Sequence, residues 1–160
     1  MANQDALLDN ETSLSITRML DAPVEAVFAA FTDPAQYQQW VGPGTMRSEV
    51  KRLEPHAGGA YRVTMYDENA NSHTVAGVYR EVTAPTRLVF TWAWEIDMGT
   101  IRAGHESLVT ITFRPVGNRT ELTIKHEKLE NATSRDQHTQ GWQGVMPKLE
   151  KFLAGKTGRA

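Results

Sequence analysis

The chain has 160 residues, the length of one domain, and at that size folding buries roughly 70% of the surface the unfolded chain exposes, enough for a core without staples. Seventeen Lys and Arg stand against nineteen Asp and Glu, a formal charge of −2 with no basic block, which argues against nucleic acid as a partner. Cysteine is absent, so disulfides, thiolate metal sites and a Cys nucleophile are excluded by composition.

The opening Met1 to Asp5 has no basic n-region and no apolar run, so neither a signal peptide nor membrane insertion is expected and the location reads as cytoplasmic. No repeat, low-complexity stretch or linker divides the chain. The reading is a flexible segment 1–12, one domain over 13–155 and a flexible end at 156–160.

From Ser13 to Leu20, Leu14, Ile16 and Leu20 alternate with polar residues at the period of a half-wet strand, and Arg18 shares their parity, an inward or rim position. Pro23 then opens a helix carrying Val24, Val27, Phe28 and Phe31 on one stripe. Asp33, Pro34 and Gln36 stand as N-cap, N1 and N3 of a second short helix that bears Tyr37 and Trp40 and stops at Gly42-Pro43. Six strands follow, over about 46–54, 60–66, 72–82, 86–95, 106–115 and 119–127, and the short turns between most of them make neighbours antiparallel. Met98 and Ile101 of the 96–105 break are placed to cover apolar surface. A last helix, capped by Ser134 and Gln137, repeats Trp142, Val145, Met146, Leu149, Phe152 and Leu153 at helical spacing, ends at Gly155 and is expected to kink around Pro147.

Leu88, Phe90, Trp92 and Trp94 alternate on one strand face, an aromatic wall that must meet the last helix. With Phe28, Trp40, Tyr61, Met65, Ile111, Trp142 and Met146 it makes either a filled core or the lining of a ligand cavity, and the pattern alone fits both. His126 continues the apolar parity of Leu122 and Ile124, the place of a hydrogen-bonded core histidine more than of a general base. His73 begins a strand at an exposed position, His56 and His105 belong to loops, and His138 to the first turn of the last helix. No histidine or carboxylate spacing suits a metal, no Gly-x-Ser-x-Gly setting suits a nucleophile, and Gly42-Pro43-Gly44 and Gly58-Gly59 read as turns rather than phosphate loops. No cofactor or metal is expected. Strand edges and the 96–105 segment leave monomer and homodimer both open.

The order strand, two short helices, six strands, long helix resembles the START and birch-pollen-allergen (SRPBCC) superfamily. Within it the chain resembles the branch homologous to the C-terminal domain of the activator of the heat-shock-protein-90 ATPase. The resemblance is carried by Ile16-Thr17-Arg18, Ala22-Pro23, Val27-Phe28, Thr32-Asp33-Pro34 through Trp40 to Gly42-Pro43, Gly58-Gly59 with Tyr61, Pro85 through Trp92, Val109 through Phe113, Thr120 through Ile124, and Gly141-Trp142. It departs from the usual pattern at Asn69-Ala70-Asn71, where a glycine often makes the hairpin, and at Pro147. The resemblance implies an α+β helix-grip fold, a curved antiparallel sheet of about seven strands around the C-terminal helix with a cavity between them. It leaves activity open. The leading expectation is non-catalytic binding of a small apolar or aromatic ligand by Phe28, Trp40, Tyr61, Met65, Phe90, Trp92, Trp94, Ile111, His126, Trp142 and Met146. The alternatives are a chaperone-associated or stress-response interaction module, and a cyclase, dehydratase or hydrolase using His126, Tyr61 or Tyr66 as acid or base.

Overall fold

The alternating runs of the sequence become strands because each can bury one face. Leu14 and Ile16 of β2 (Ser13–Leu20) lie opposite His126 and Ile124 of β8 (Arg119–Glu127), and Ile124 in turn opposes Ile111 of β7 (Ser107–Val116). A computed structural model describes residues 6–95 and 103–156, the side chain of residue 9 excepted. Met98 and Ile101 lie outside these residues.

The remaining elements are β1 (Ala6–Asn10), α1 (Val24–Thr32), α2 (Pro34–Trp40), β3 (Arg47–Leu53), β4 (Ala60–Tyr66), β5 (Ser72–Thr83), β6 (Arg87–Trp94) and α3 (Ala132–Lys156). All strand pairs are antiparallel in one eight-stranded sheet of order β1-β2-β8-β7-β6-β5-β4-β3. β2 and β3 therefore stand far apart in the sheet although only α1 and α2 separate them in sequence, so that helix pair must carry the chain across. The fold is an α+β helix grip, with eight strands rather than about seven. The extra one is β1: residues 6–10 of the segment expected to be flexible pair with β2, Ala6 opposite Ile16.

Local sequence explains the helices. Asp33 caps α2, its Oδ1 accepting from the amide of Ala35 at 3.0 Å and its Oδ2 from Gln36 Nε2 at 3.0 Å, with Pro34 in the first turn. The expected Ser134 cap of α3 is corrected: the helix starts earlier, and Asn131 Oδ1 accepts from the amide of Ser134 at 2.8 Å. α3 continues through Pro147 and one residue past Gly155. Arg18 takes the rim position its parity suggested, half-buried and 3.3 Å from Glu150 of α3.

The core divides along α3. Near α1 and α2, Phe31 meets Trp40 and Phe113 edge to face at 4.7 and 5.3 Å, and Trp40 Nε1 donates to the carbonyl of Ala30 at 3.1 Å. In the middle, Phe90 contacts Tyr61 and Tyr79 at 5.4 and 5.8 Å. Each such ring pair contributes about 0.5–1.5 kcal/mol beyond area burial. At the other end stand Trp92, Trp94, Trp142, His126 and His138. Among the described residues no helix is long and apolar enough to cross a membrane.

The β4–β5 hairpin holds a strained residue. Ala70 has φ 64°, a left-handed conformation costly for a side chain with a Cβ, while Asp67 Oδ1 accepts from the amides of Asn69 and Asn71 at 2.9 and 3.0 Å to hold the turn. Ala70→Gly is expected to raise the free energy of urea unfolding by about 0.5–1 kcal/mol, the left-handed penalty less the added entropy of glycine in the unfolded chain; a loss of stability would overturn this account.

Candidate functional site

β6 places Trp92 and Trp94 on the sheet face that meets α3, and α3 presents Trp142 one turn beyond His138. Between them lies a cavity of about 190 Å³, partly open to solvent. Its inner wall is Met65, Trp92, Trp142 and Val145, and Val41 to Pro43 close one side. Met46, His73, Trp94 and Gln137 stand toward the mouth.

Four of the expected ligand residues, Met65, Trp92, Trp94 and Trp142, line this cavity. The other seven lie outside its wall. Phe28 and Trp40 pack in the α1–α2 cluster, Ile111, His126 and Met146 are fully buried, and Tyr61 and Phe90 border a separate void of about 10 Å³, too small for more than a water. The aromatic wall is thus a filled core over most of its length and hollow at one end. Phe31 and Tyr37 of α1 and α2 reach the space beneath Leu88 and Phe90, whereas among the described residues the rings that meet Trp94 are those of Trp92 and His138.

Two histidines organise that end: His126, expected on the apolar face of β8, and His138, placed only in the first turn of the last helix. Indole donates only, so Trp142 Nε1–H, 3.0 Å from His126 Nδ1, makes that nitrogen the acceptor. The proton then sits on His126 Nε2, which donates to Ser107 Oγ at 2.8 Å, and Ser107 donates to the carbonyl of Trp92 at 3.1 Å. The second relay has the same sense: Trp94 Nε1–H donates to His138 Nε2 at 3.1 Å, and His138 Nδ1–H donates to the carbonyl of Ser134 at 2.7 Å. The two imidazoles are 4.8 Å apart. Burial holds both pKa values below the ordinary histidine range, that of His126 well below it with His138 adding to the effect. Both rings are neutral and both nitrogens of each are occupied. The Trp92 indole nitrogen is buried from solvent with no acceptor among the described residues, and the N–H groups of Trp94 and Trp142 are taken by the two histidines.

Sequence reading missed His138, Gln137, His73, Met46, Gly141, Val145 and Val41 to Pro43 as cavity residues. A signal for His138 existed, since Ser134, His138 and Trp142 follow one another at i, i+4 and are all buried. His73, expected to be exposed, is half-buried, 3.2 Å from Asp67 Oδ2. The three groups named as candidate acids and bases do not converge. His126 is sealed by its two bonds, Tyr61 donates to the carbonyl of Thr91, and Tyr66 donates to Glu49 at 2.9 Å. Burial pushes the Tyr61 hydroxyl well above the ordinary phenol range. Among the described residues no cluster of His, Asp and Glu could hold a metal ion.

These histidines fix a pH dependence. A histidine whose folded pKa lies below its unfolded value near 6.5 binds its proton only on unfolding. Stability is therefore complete above about pH 6.5 and falls below it by up to about 1.4 kcal/mol per pH unit per histidine. The carboxylates held low by hydrogen bonds, Asp67 and Glu49 among them, contribute only at lower pH. Urea unfolding between about pH 7.5 and 5 is expected to show this loss, and His138→Gln, which keeps an acceptor for Trp94, to reduce the slope by about half; a flat profile would contradict the neutral pair.

Comparison with known proteins agrees with this architecture. A family described as Activator of Hsp90 ATPase homolog 1-like protein matches residues 21–154. No curated protein matches the chain. Among solved structures, the AHSA1 protein of Silicibacter pomeroyi is 27% identical over 90% of this chain and 99% of its own, with a TM-score of 0.79. A protein from Chromobacterium violaceum is 25% identical over 88% and 96%, TM-score 0.78. A solution structure from Arthrobacter aurescens, 22% identical over 95% and 92%, shares the fold at a TM-score of 0.83. With a helix-grip sheet closed on α3 and the family match spanning α1 to the last turns of α3, the chain belongs to the Activator of Hsp90 ATPase homolog 1-like family of the START-like superfamily.

Proposed function

We propose that this protein binds a small apolar or aromatic molecule in the cavity between β6 and α3, without chemical conversion. The observation that carries the reading is the hollow of about 190 Å³ walled by Trp92, Trp94 and Trp142. Its size selects the ligand class. An apolar cavity of about 150 Å³ accepts benzene, whereas pockets for drug-sized ligands run to roughly 300–1,000 Å³. A single ring, or a short branched chain, fits; a steroid or a long acyl chain does not.

Chemistry points the same way. The two indole donors that find acceptors spend them on histidines, so selection falls to shape and apolar contact. Burying roughly 150–250 Å² of ring surface yields about 4–6 kcal/mol at 25 cal/mol per Å², a Kd between about 1 mM and tens of micromolar. A second reading, an interaction module acting with a chaperone, draws on the family description, which names an activator of the Hsp90 ATPase.

Gly141 provides the test. It borders the cavity, and a Cβ added there meets nothing within 4 Å. Gly141→Ala is expected to stabilise α3 by about 0.5–1 kcal/mol. Gly141→Leu is expected to fill the hollow while leaving unfolding stability at or above that of the parent. Toluene and indole, titrated against tryptophan emission and by calorimetry, should bind the parent and not Gly141→Leu, and decanoate should bind neither. Absence of any response to both aromatic probes up to their solubility would sink the proposal.

A further inference from the structure

Away from the cavity, an open groove of about 750 Å³ runs between α2 and the C-terminal half of α3, lined by Gln36, Gln39, Lys148, Lys151, Phe152 and Lys156. The three lysines and Phe152 follow helical spacing and form one stripe. No Asp or Glu belongs to the wall.

These lysines differ from most basic side chains of the surface. Arg62 holds Glu95 through two bonds of 2.8 Å, Arg114 meets Glu121 at 2.9 Å, and Lys51 meets Glu49 at 2.8 Å. The groove lysines have only neutral acceptors. Lys148 Nζ donates to the carbonyls of Gly42 and Met46 at 2.7 and 3.0 Å, and Lys156 Nζ to the carbonyl of Ala26 at 3.3 Å and Gln36 Oε1 at 2.7 Å. Lys151 is exposed and has no hydrogen-bond or ion-pair partner among the described residues. The dipole of α3 accounts for a cation in its last turn, but its influence fades within that turn and does not reach Lys148 or Lys151. Three unneutralised charges are thus gathered in one groove of a chain whose formal charge is −2.

We propose that the α2–α3 groove docks an extended acidic peptide segment of a partner protein. Lys148 and Lys156 are eight residues apart, about 12 Å along the helix. An extended chain rises about 3.3 Å per residue and turns alternate side chains to one face, so carboxylates at every second position over five residues span about 13 Å. They meet all three ammonium groups. Phe152, half-buried in the floor, offers contact to an apolar side chain, which a bare inorganic anion does not exploit. The formal charge of −2 on the whole chain also disfavours long polyanions and anionic bilayers, which would contact far more of the surface than this groove.

Fluorescence anisotropy with a labelled heptapeptide alternating glutamate and leucine tests this on the full chain. Binding is expected at about 0.01 M salt and to weaken several-fold at about 0.15 M. Lys151→Glu is expected to weaken it about fivefold or more, the scale of reversing an exposed ion pair, with unchanged thermal unfolding. Gly141→Leu, which alters only the cavity, should leave peptide binding intact. No binding, equal binding of the peptide with glutamine in place of glutamate, or equal affinity in Lys151→Glu would overturn the proposal. So would binding of inorganic phosphate, a short oligonucleotide or phosphatidylserine vesicles as tight as that of the peptide.

Discussion

The structure turns on the bond from the Trp142 indole N–H to His126 Nδ1. Most contacts between α3 and the sheet are apolar and lack direction, so they favour docking without fixing the rotation of the helix about its axis. This bond fixes it. A helix turned by one residue, about 100°, would bury an unpaired indole donor and an unpaired imidazole acceptor, each costing about 1–3 kcal/mol. The Trp94–His138 bond repeats the constraint one turn earlier. With α3 so oriented, Gly141 and Val145 face the cavity and Lys148, Lys151 and Lys156 line the outer groove. Both candidate surfaces are consequences of one rotational setting.

The same bonds explain why the hollow persists in an otherwise packed interior. Trp94 and Trp142 are tethered through their nitrogens to imidazoles and cannot swing inward to fill the space without breaking a buried hydrogen bond. Trp92 is wedged among His126, Trp94 and Trp142, with ring centroids at 5.3 to 5.6 Å. Gly141 supplies no side chain. The polar network is thus the scaffold of an apolar cavity, and its acid–base capacity is spent internally.

Much of the architecture was legible in residue order. Period-2 runs marked the strands, Asp33-Pro34 marked α2, and the stripe from Trp142 to Leu153 marked the buried face of α3. β1 was not legible, because Ala6 to Asn10 carries no alternation and becomes a strand only by pairing with β2. The site was read in part. A strand face shows that Phe90 and Trp92 point the same way, but not that α1 and α2 deliver rings to one and leave room beside the other. His138 and Ser134 were hidden because the first turn and the cap of the last helix, where the sequence places them, are positions that need no partner across the fold. Their burial follows from satisfying each other and Trp94, a pairing made across the fold rather than along the sequence.

The loop between α2 and β3 completes the cavity and limits how it can open. Pro43 lies against Gly144 of α3, where an added Cβ would stand 3.1 Å from the Pro43 Cβ, so a residue with a side chain would push the loop away. The amide of Gly44 points to the Gly144 carbonyl at 3.4 Å, and Lys148 holds the carbonyls of Gly42 and Met46. Three separate contacts thus fasten this wall to the helix, and displacing it would strip them together. At the mouth, His73 and Trp94 are held by Asp67 and His138, whereas Met46, half-buried and unbranched, is flexible by nature. A ring-sized ligand of the kind proposed would thus enter by a rotamer change at Met46 rather than by movement of the backbone wall, on the nanosecond scale of side-chain motion and not that of loop opening.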